Sequence, residues 1–185
     1  MLLAPFWFSP DPQPFQTFGD GHTLSAVFLH EFTAVGLVDG EQVVYYDSNI
    51  RTMIPKTEWI KKIDVDDPDY WNSETDRQQG EQDTFKSYLS SIMKSFNQAE
   101  GVHTLQQMFG CELHDDNTTR GSDQFGYDGE DFISLDLNTG TWTAATPQAE
   151  IFIKEWDLTG YEATEQKSYL EKECIDWIKK FVSLG

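Results

Sequence analysis

Gly101-Val102-His103-Thr104-Leu105-Gln106-Gln107-Met108-Phe109-Gly110-Cys111 reads as a strand running up to a cysteine. Tyr169-Leu170-Glu171-Lys172-Glu173-Cys174-Ile175-Asp176-Trp177 reads as a helix carrying the second of two cysteines in a 185-residue chain. A bond between them would fasten a helix across a sheet, and closing so long a loop is worth roughly 4 kcal/mol in the chain-entropy model. A sheet with a helix laid on it makes the floor and wall of a groove. The count alone leaves two outcomes open: one intramolecular disulfide formed in an oxidising compartment, or two reduced buried thiols.

Outward from these segments the pattern repeats. Thr23 to Val38 is β-branched and aromatic, Asp39-Gly40 is a hairpin turn signal, and Gln42-Val43-Val44-Tyr45-Tyr46 resumes as the partner strand. After a charged connection from Pro55 to Asp69, the residues Phe85, Tyr88, Leu89, Ile92 and Phe96 recur at helical spacing. They predict a long helix from about Asp69 to Ala99, with Gly80 as a candidate bend. A meander follows, with strands predicted at Thr104 to Leu113, Gln124 to Asp128, Asp131 to Leu137 and Thr141 to Ala144. Pro147 opens a second helical region, Gly160 breaks it, and Leu170, Cys174, Trp177, Ile178 and Phe181 restore the helical period. The order strands, helix, strands, helix divides the chain into halves at residues 1–100 and 101–185. The halves complete one antiparallel sheet with both helical regions on one face, an α+β architecture. Residues 1–21, rich in Pro, Gly and Phe, are the least regular stretch.

Composition narrows the partners. Thirteen basic residues against 32 acidic ones give a formal charge of −19, which argues against nucleic acid or an anionic membrane surface. No stretch approaches the roughly 18 apolar residues needed to cross a bilayer. Met1 to Phe8 is apolar but short and lacks a basic start, so it does not read as a signal peptide. Enzyme chemistry finds little support. His114-Asp115-Asp116 and Asp64-Val65-Asp66-Asp67 follow no known metal-loop spacing, and no serine or cysteine nucleophile motif is present. Neither a catalytic residue, a metal nor a cofactor is expected.

Particular wording carries a further signal. Phe32-Thr33-Ala34-Val35-Gly36-Leu37-Val38-Asp39-Gly40, Pro68-Asp69-Tyr70-Trp71, Met108-Phe109-Gly110-Cys111, Gly126-Tyr127-Asp128-Gly129-Glu130-Asp131-Phe132-Ile133, Trp142-Thr143-Ala144 and Cys174-Ile175-Asp176-Trp177-Ile178 occur in order. They resemble the α1 and α2 domains of an MHC class I heavy chain, with Gly-Leu-Val-Asp-Gly and Gly-Glu-Asp-Phe-Ile most similar to bony-fish members. The resemblance covers about Phe32 to Gly185. It implies two α-helical regions over an eight-stranded antiparallel sheet, a Cys111–Cys174 disulfide, and a noncovalent β2-microglobulin partner beneath the sheet. It also implies a groove ligand, peptide or hydrophobic, shown to T-cell or NK-type receptors at the extracellular face of the cell surface. The immunoglobulin domain and membrane anchor of such a protein would lie outside this chain.

The resemblance also nominates residues. One groove end takes Tyr70, Tyr169, Trp177 and Phe181, where two hydroxyls remain and a tyrosine of the family has become phenylalanine. A hydrogen bond to a charged terminus is worth roughly 1.5–3 kcal/mol. The plainer alternative is that Tyr70 and Tyr169 only pack against Trp177. At the other end the carboxylate-holding positions fall on Ser95, Phe152, Glu155 and Trp156, and only the tryptophan is kept. Glu155 reverses a charge there, or else lies on a solvated helix face. Glu74, Arg77, Glu81, Thr84 and Tyr88 fall on the first wall, and Leu105, Gln107, Phe109, Asp123 and Phe125 on the floor. The rings of this set either suit a hydrophobic ligand or fill the groove by packing on one another. Gln106, Met108, Gly129 and Asp131 match β2-microglobulin contacts, and Asn117-Thr118-Thr119 supplies a glycosylation sequon. The family's first strand is assigned to Leu2–Phe8, followed by a long loop from Pro10 to Gly21. A count forward from His22 puts Ala26 at the tyrosine position, but His22 to Phe32 is too short for the usual hairpin, and the alternative to the Leu2–Phe8 strand is that the edge of the sheet is rebuilt.

Overall fold

The computed structural model describes residues 3–4, 32–98 and 101–185. Among the described residues, eight strands form two four-stranded antiparallel sheets, ordered β1-β2-β3-β4 and β5-β6-β7-β8. The first holds β1 (Leu3–Ala4), β2 (Thr33–Val38), β3 (Glu41–Asp47) and β4 (Ile54–Pro55). The second holds β5 (Leu105–Leu113), β6 (Thr119–Tyr127), β7 (Glu130–Asp136) and β8 (Thr141–Ala144). The edge strands β1 and β5 lie beside each other. Helices cover the platform at Tyr70–Ser95, Pro147–Trp156, Tyr161–Ser168 and Cys174–Leu184.

Local chemistry accounts for the boundaries. Asp39 and Gly40 both have positive φ, as do Asp128 and Gly129. Each pair makes the two-residue turn whose twist suits a hairpin, joining β2 to β3 and β6 to β7. The long helix ends where Asn97 turns left-handed, with Gln98 N–H donating to the Met93 carbonyl and Asn97 N–H to that of Lys94. This is a Schellman close, so the helix stops at Ser95 rather than at the expected Ala99. Thr146 caps the next helix by accepting from the Ala149 N–H at 3.2 Å, with Pro147 at its first turn. Gly160, at φ 73°, turns the chain in a left-handed conformation, and both Asp157 carboxylate oxygens then accept from the N–H groups of Glu162 and Ala163.

Two expectations change. The connection from Pro55 to Asp69 is not merely charged: it contains a 3₁₀ turn at Ile60–Lys62 and a short helix at Ile63–Asp66. Ile60 and Ile63 are fully buried there, so the segment is anchored by two apolar plugs. β6 begins at Thr119 rather than Gln124, because its polar first half pairs with Glu112 and Leu113. Of the stretch from Thr23 to Val38, Thr33–Val38 forms β2, and residues 23–31 lie outside the described residues. Of the predicted first strand, Leu3–Ala4 pairs with Leu37–Val38; the loop at Pro10–Gly21 and the Ala26 position lie outside the described residues.

The long helix runs unbroken past Gly80. A Cβ added there meets open space. Gly80→Ala therefore stabilises the chain by about 0.5–1 kcal/mol, read as a raised melting temperature; an unchanged or lowered value contradicts that placement.

The core is continuous between sheet and helices. Tyr46, Ile60, Ile92, Phe132 and Leu170 are almost wholly buried within it. A second cluster joins Cys111, Cys174, Ile175 and Ile178. Cys111 and Cys174 are bonded, with Cα atoms 6.1 Å apart. Just before Cys174 the helix widens into one π turn, Tyr169–Glu173. Below it Gly121 permits close approach, since a Cβ there would sit 3.0 Å from Leu137 and 3.1 Å from Leu170.

Candidate functional site

A cavity of about 610 Å³ lies between the long helix and the second helical region, floored by the strands. Fourteen of the residues nominated for it from sequence line it: Tyr70, Glu74, Arg77, Glu81, Thr84, Tyr88, Gln107, Phe109, Asp123, Phe125, Trp156, Tyr169, Trp177 and Phe181. The other four, Ser95, Leu105, Phe152 and Glu155, do not. Leu105 and Phe152 are buried in the core, and Glu155 is exposed. Each has a physical reason: Phe152 stacks flat under Trp156, with centroids 5.2 Å apart, and fills the space below it. Glu155 is one helical step from Trp156, which carries it to the solvent face. Ser95 donates its hydroxyl to the Ile92 carbonyl of its own helix, and Lys154 lies 3.8 Å from Glu150, also on the exposed surface.

At one end, Tyr70 packs on Trp177 at 5.7 Å and Trp177 stacks on Phe181 at 5.5 Å. Tyr169 instead meets Phe109, edge to face at 6.1 Å. Burial raises the pKa of both the Tyr70 and Tyr169 hydroxyls, so they are neutral donors. At the other end, rings close the space. Tyr88, Phe125, Trp142, Phe152 and Trp156 interlock with centroids 5.2–6.4 Å apart.

Between the ends the lining is polar. Arg77 grips Glu74 through Nη2 at 2.6 Å and Nε at 3.2 and 3.3 Å. Burial is the largest influence on Arg77 and opposes its charge, but the Glu74 bond together with the charges of Glu74, Tyr169 and Glu81 raises its pKa on balance. Glu81, one turn on, is raised by burial despite Arg77 nearby. Across the groove Glu162 is raised by burial, with Asp157, Glu165 and Glu81 adding repulsion. Like charges thus face one another across the opening.

On the floor, Asp123 is 2% exposed. Its carboxyl accepts from Gln107 Nε2 at 2.8 and 3.1 Å and from Gln166 Nε2 at 2.6 Å. Burial raises it to about 8, against the lowering effect of both amides. Since the unfolded group titrates near 3.8, the folded state holds an extra proton between that value and about 8. The resulting stabilisation is present in full below the unfolded pKa and is lost as pH rises through the folded one, by up to about 1.4 kcal/mol per unit. The unliganded chain therefore melts higher near pH 5 than near pH 8, and Asp123→Asn flattens that slope; equal slopes contradict the assignment.

Sequence reasoning missed Gln78, Glu162, Glu165, Gln166 and Glu173 among the lining residues. Gln78, on the wall, is 1% exposed and its Oε1 has no hydrogen-bond partner. Its position one residue beyond Arg77 was the available signal. Gln106, Met108, Gly129 and Asp131 are absent from the lining, as strand alternation requires for Gln106 and Met108. Asn117 sits at φ 64° in the exposed turn between β5 and β6. Among the described residues no cluster of His, Cys, Asp and Glu is suited to a metal ion, and no helix is long and apolar enough to cross a membrane.

A groove of this kind over such a sheet is matched by sequence: residues 24–185 fit the family described as Class I Histocompatibility antigen, domains alpha 1 and 2. The chain belongs to the MHC class I family. It is 38% identical over 154 residues to a class I histocompatibility antigen alpha chain of Gallus gallus, covering 83% of this chain and 44% of that one. It is 39% identical over 155 residues to major histocompatibility complex class I-related protein 1 of Mus musculus, covering 84% and 45%. A third relative, the H-2 class I histocompatibility antigen K-D alpha chain of Mus musculus, is 37% identical over 158 residues, covering 83% and 42%. The class I chain thus spans less than half the length of these relatives.

Proposed function

We propose that this chain displays a short ligand in its groove, with β2-microglobulin beneath the sheet, to T-cell or NK-type receptors at the extracellular face of the cell surface. The observation that carries this reading is the cavity of about 610 Å³, walled by two helical regions, in a chain of the class I family. That volume falls in the range of about 300–1,000 Å³ that encloses a compact ligand. Gln106, Met108, Gly129 and Asp131, away from the groove, are the proposed β2-microglobulin contacts, and Asn117 the glycan acceptor. The role is one of binding, without catalysis or a cofactor. Relative to peptide-presenting members, the changed terminus-holding positions Ser95, Phe152, Glu155 and Phe181 set this chain apart, in wording most similar to bony-fish members.

The test is acid elution of the complex refolded or purified with β2-microglobulin, followed by mass spectrometry. A set of related peptides or one recurrent small molecule supports display. Buffer components alone refute it. The ring-filled end favours a second reading, in which the groove is partly occluded, holds a hydrophobic ligand or nothing, and serves a receptor through its outer helix surfaces. Under that reading the complex refolds equally well, with an equal melting temperature, when no peptide is supplied.

A further inference from the structure

The second wall is built from three helical pieces, and only the outer two are anchored by large apolar side chains. Pro147–Trp156 buries Ala149 and Phe152, the latter in the aromatic block. Cys174–Leu184 buries Ile175 and Ile178 beside the Cys111–Cys174 bond. Between them, Tyr161–Ser168 reads Tyr-Glu-Ala-Thr-Glu-Gln-Lys-Ser, and Ala163 is its one buried residue. Its ring, Tyr161, is 61% exposed. Few buried apolar contacts mark a segment that opens at low free energy.

Polar tethers hold this middle piece instead. Gln166 donates through Nε2 to the Asp123 carboxyl at 2.6 Å, which ties the wall to the floor. Lys167 donates through Nζ to the Leu137 carbonyl and also to Glu171 at 2.7 Å. Each end of the piece is an interruption of the helix. At Gly160, φ is 73° and an added Cβ would meet nothing within 4 Å, so the position calls for glycine by its conformation and not by its space. The Asp157 carboxylate holds the Glu162 and Ala163 N–H groups there, which makes the start of the piece a pivot. At the other end stands the π turn Tyr169–Glu173, a departure from α geometry of the kind at which helices bend. Glu162, Glu165, Gln166 and Ser168 line the cavity from this piece.

We propose that Tyr161–Ser168 is a gate in the second wall, hinged at Gly160 and at the π turn and latched to the floor by Gln166 on Asp123. When the latch releases, the piece swings off the sheet and clears one side of the groove, while the two anchored pieces stay seated. Rotation at a few element-terminal residues is the ordinary form of such a hinge. Like charges on Glu162 and on Glu81 of the opposite wall oppose closure, so the latch works against a standing push. The swing is a property of the fold itself. Its use, to admit and release ligand without unfolding either wall, rests on the display reading.

Hydrogen–deuterium exchange of the chain refolded with β2-microglobulin, read by mass spectrometry, tests the gate. Amides of Tyr161–Ser168 exchange about tenfold or more faster than those of Pro147–Trp156 and of the first half of Cys174–Leu184. Gln166→Ala and, separately, Lys167→Met raise exchange in the middle piece by about fivefold and leave the flanking pieces at their parent rates. Gln166 and Lys167 both lie at the partly exposed helix surface, outside the core, and either variant alone decides the matter. Equal protection of all three pieces in the parent, or a rise spread evenly over them in the variants, overturns the gate. Native mass spectrometry of the complex purified from cells then follows loss of its small component with time. The Gln166→Ala complex loses it about fivefold faster than the parent, and an unchanged rate overturns the gating role. A complex that shows the exchange pattern but carries no third component supports the hinged segment and refutes display.

Discussion

The Cys111→Ala/Cys174→Ala variant melts about 10 °C below the parent chain, and reductant lowers the parent by a similar amount. The bond closes a loop of 63 residues, for which the chain-entropy model gives roughly 4 kcal/mol. In a domain of this size each kcal/mol moves the midpoint by about 2–4 °C. The loss is felt locally too. Cys111 and Cys174 are both buried with Ile175 and Ile178, so without the bond the Cys174–Leu184 helix rests on those two isoleucines. Trp177 and Phe181 project from the same helix into the groove, and ligand affinity falls together with stability. Thermal denaturation with and without reductant checks this; coincident curves mean that the bond does not staple the wall.

Phe152→Ala produces a loss of similar size by another route. Phe152 is 5% exposed and touches Tyr88, Phe132 and Trp156 at centroid separations of 5.2–6.4 Å. Removing a buried phenylalanine ring costs about 3–5 kcal/mol, because the lining collapses only in part. Trp156 loses the ring on which it stacks and swings down, which opens the closed groove end. Eluted ligands then become longer or bulkier at that end. By contrast Leu158→Ala, at a residue 82% exposed, changes stability by less than about 0.5 kcal/mol. Denaturant unfolding of the two variants side by side measures the difference, and equal losses would show that the aromatic block carries no load.

Much of the platform was legible because its signals are local. Asp39-Gly40 needed only two residues able to take positive φ, Pro147 and Gly160 bounded a helix, and Phe85, Tyr88 and Ile92 repeated at helical spacing. The resemblance then supplied the pairing of the cysteines and most of the groove wall. Other features depend on partners distant in sequence. Thr119 to Asp123 is largely polar and looks like a loop, yet it continues β6 because Phe109 to Leu113 offer it a ladder. Gln166 reaches Asp123 across 43 residues, a contact with no periodic trace in sequence. Gln78 lies in a polar stretch of helix yet is only 1% exposed, a burial that its polar neighbours in sequence do not announce. Glu155 erred the other way: position suggested the groove, while the step around the helix from Trp156 put it in solvent.

Native mass spectrometry of the complex with β2-microglobulin, taken from cells and kept unheated, tests display most directly. A ternary mass, equal to the two chains plus a small component that leaves on acidification, is the expected result. A complex that carries only the mass of the two chains under every gentle condition would contradict it.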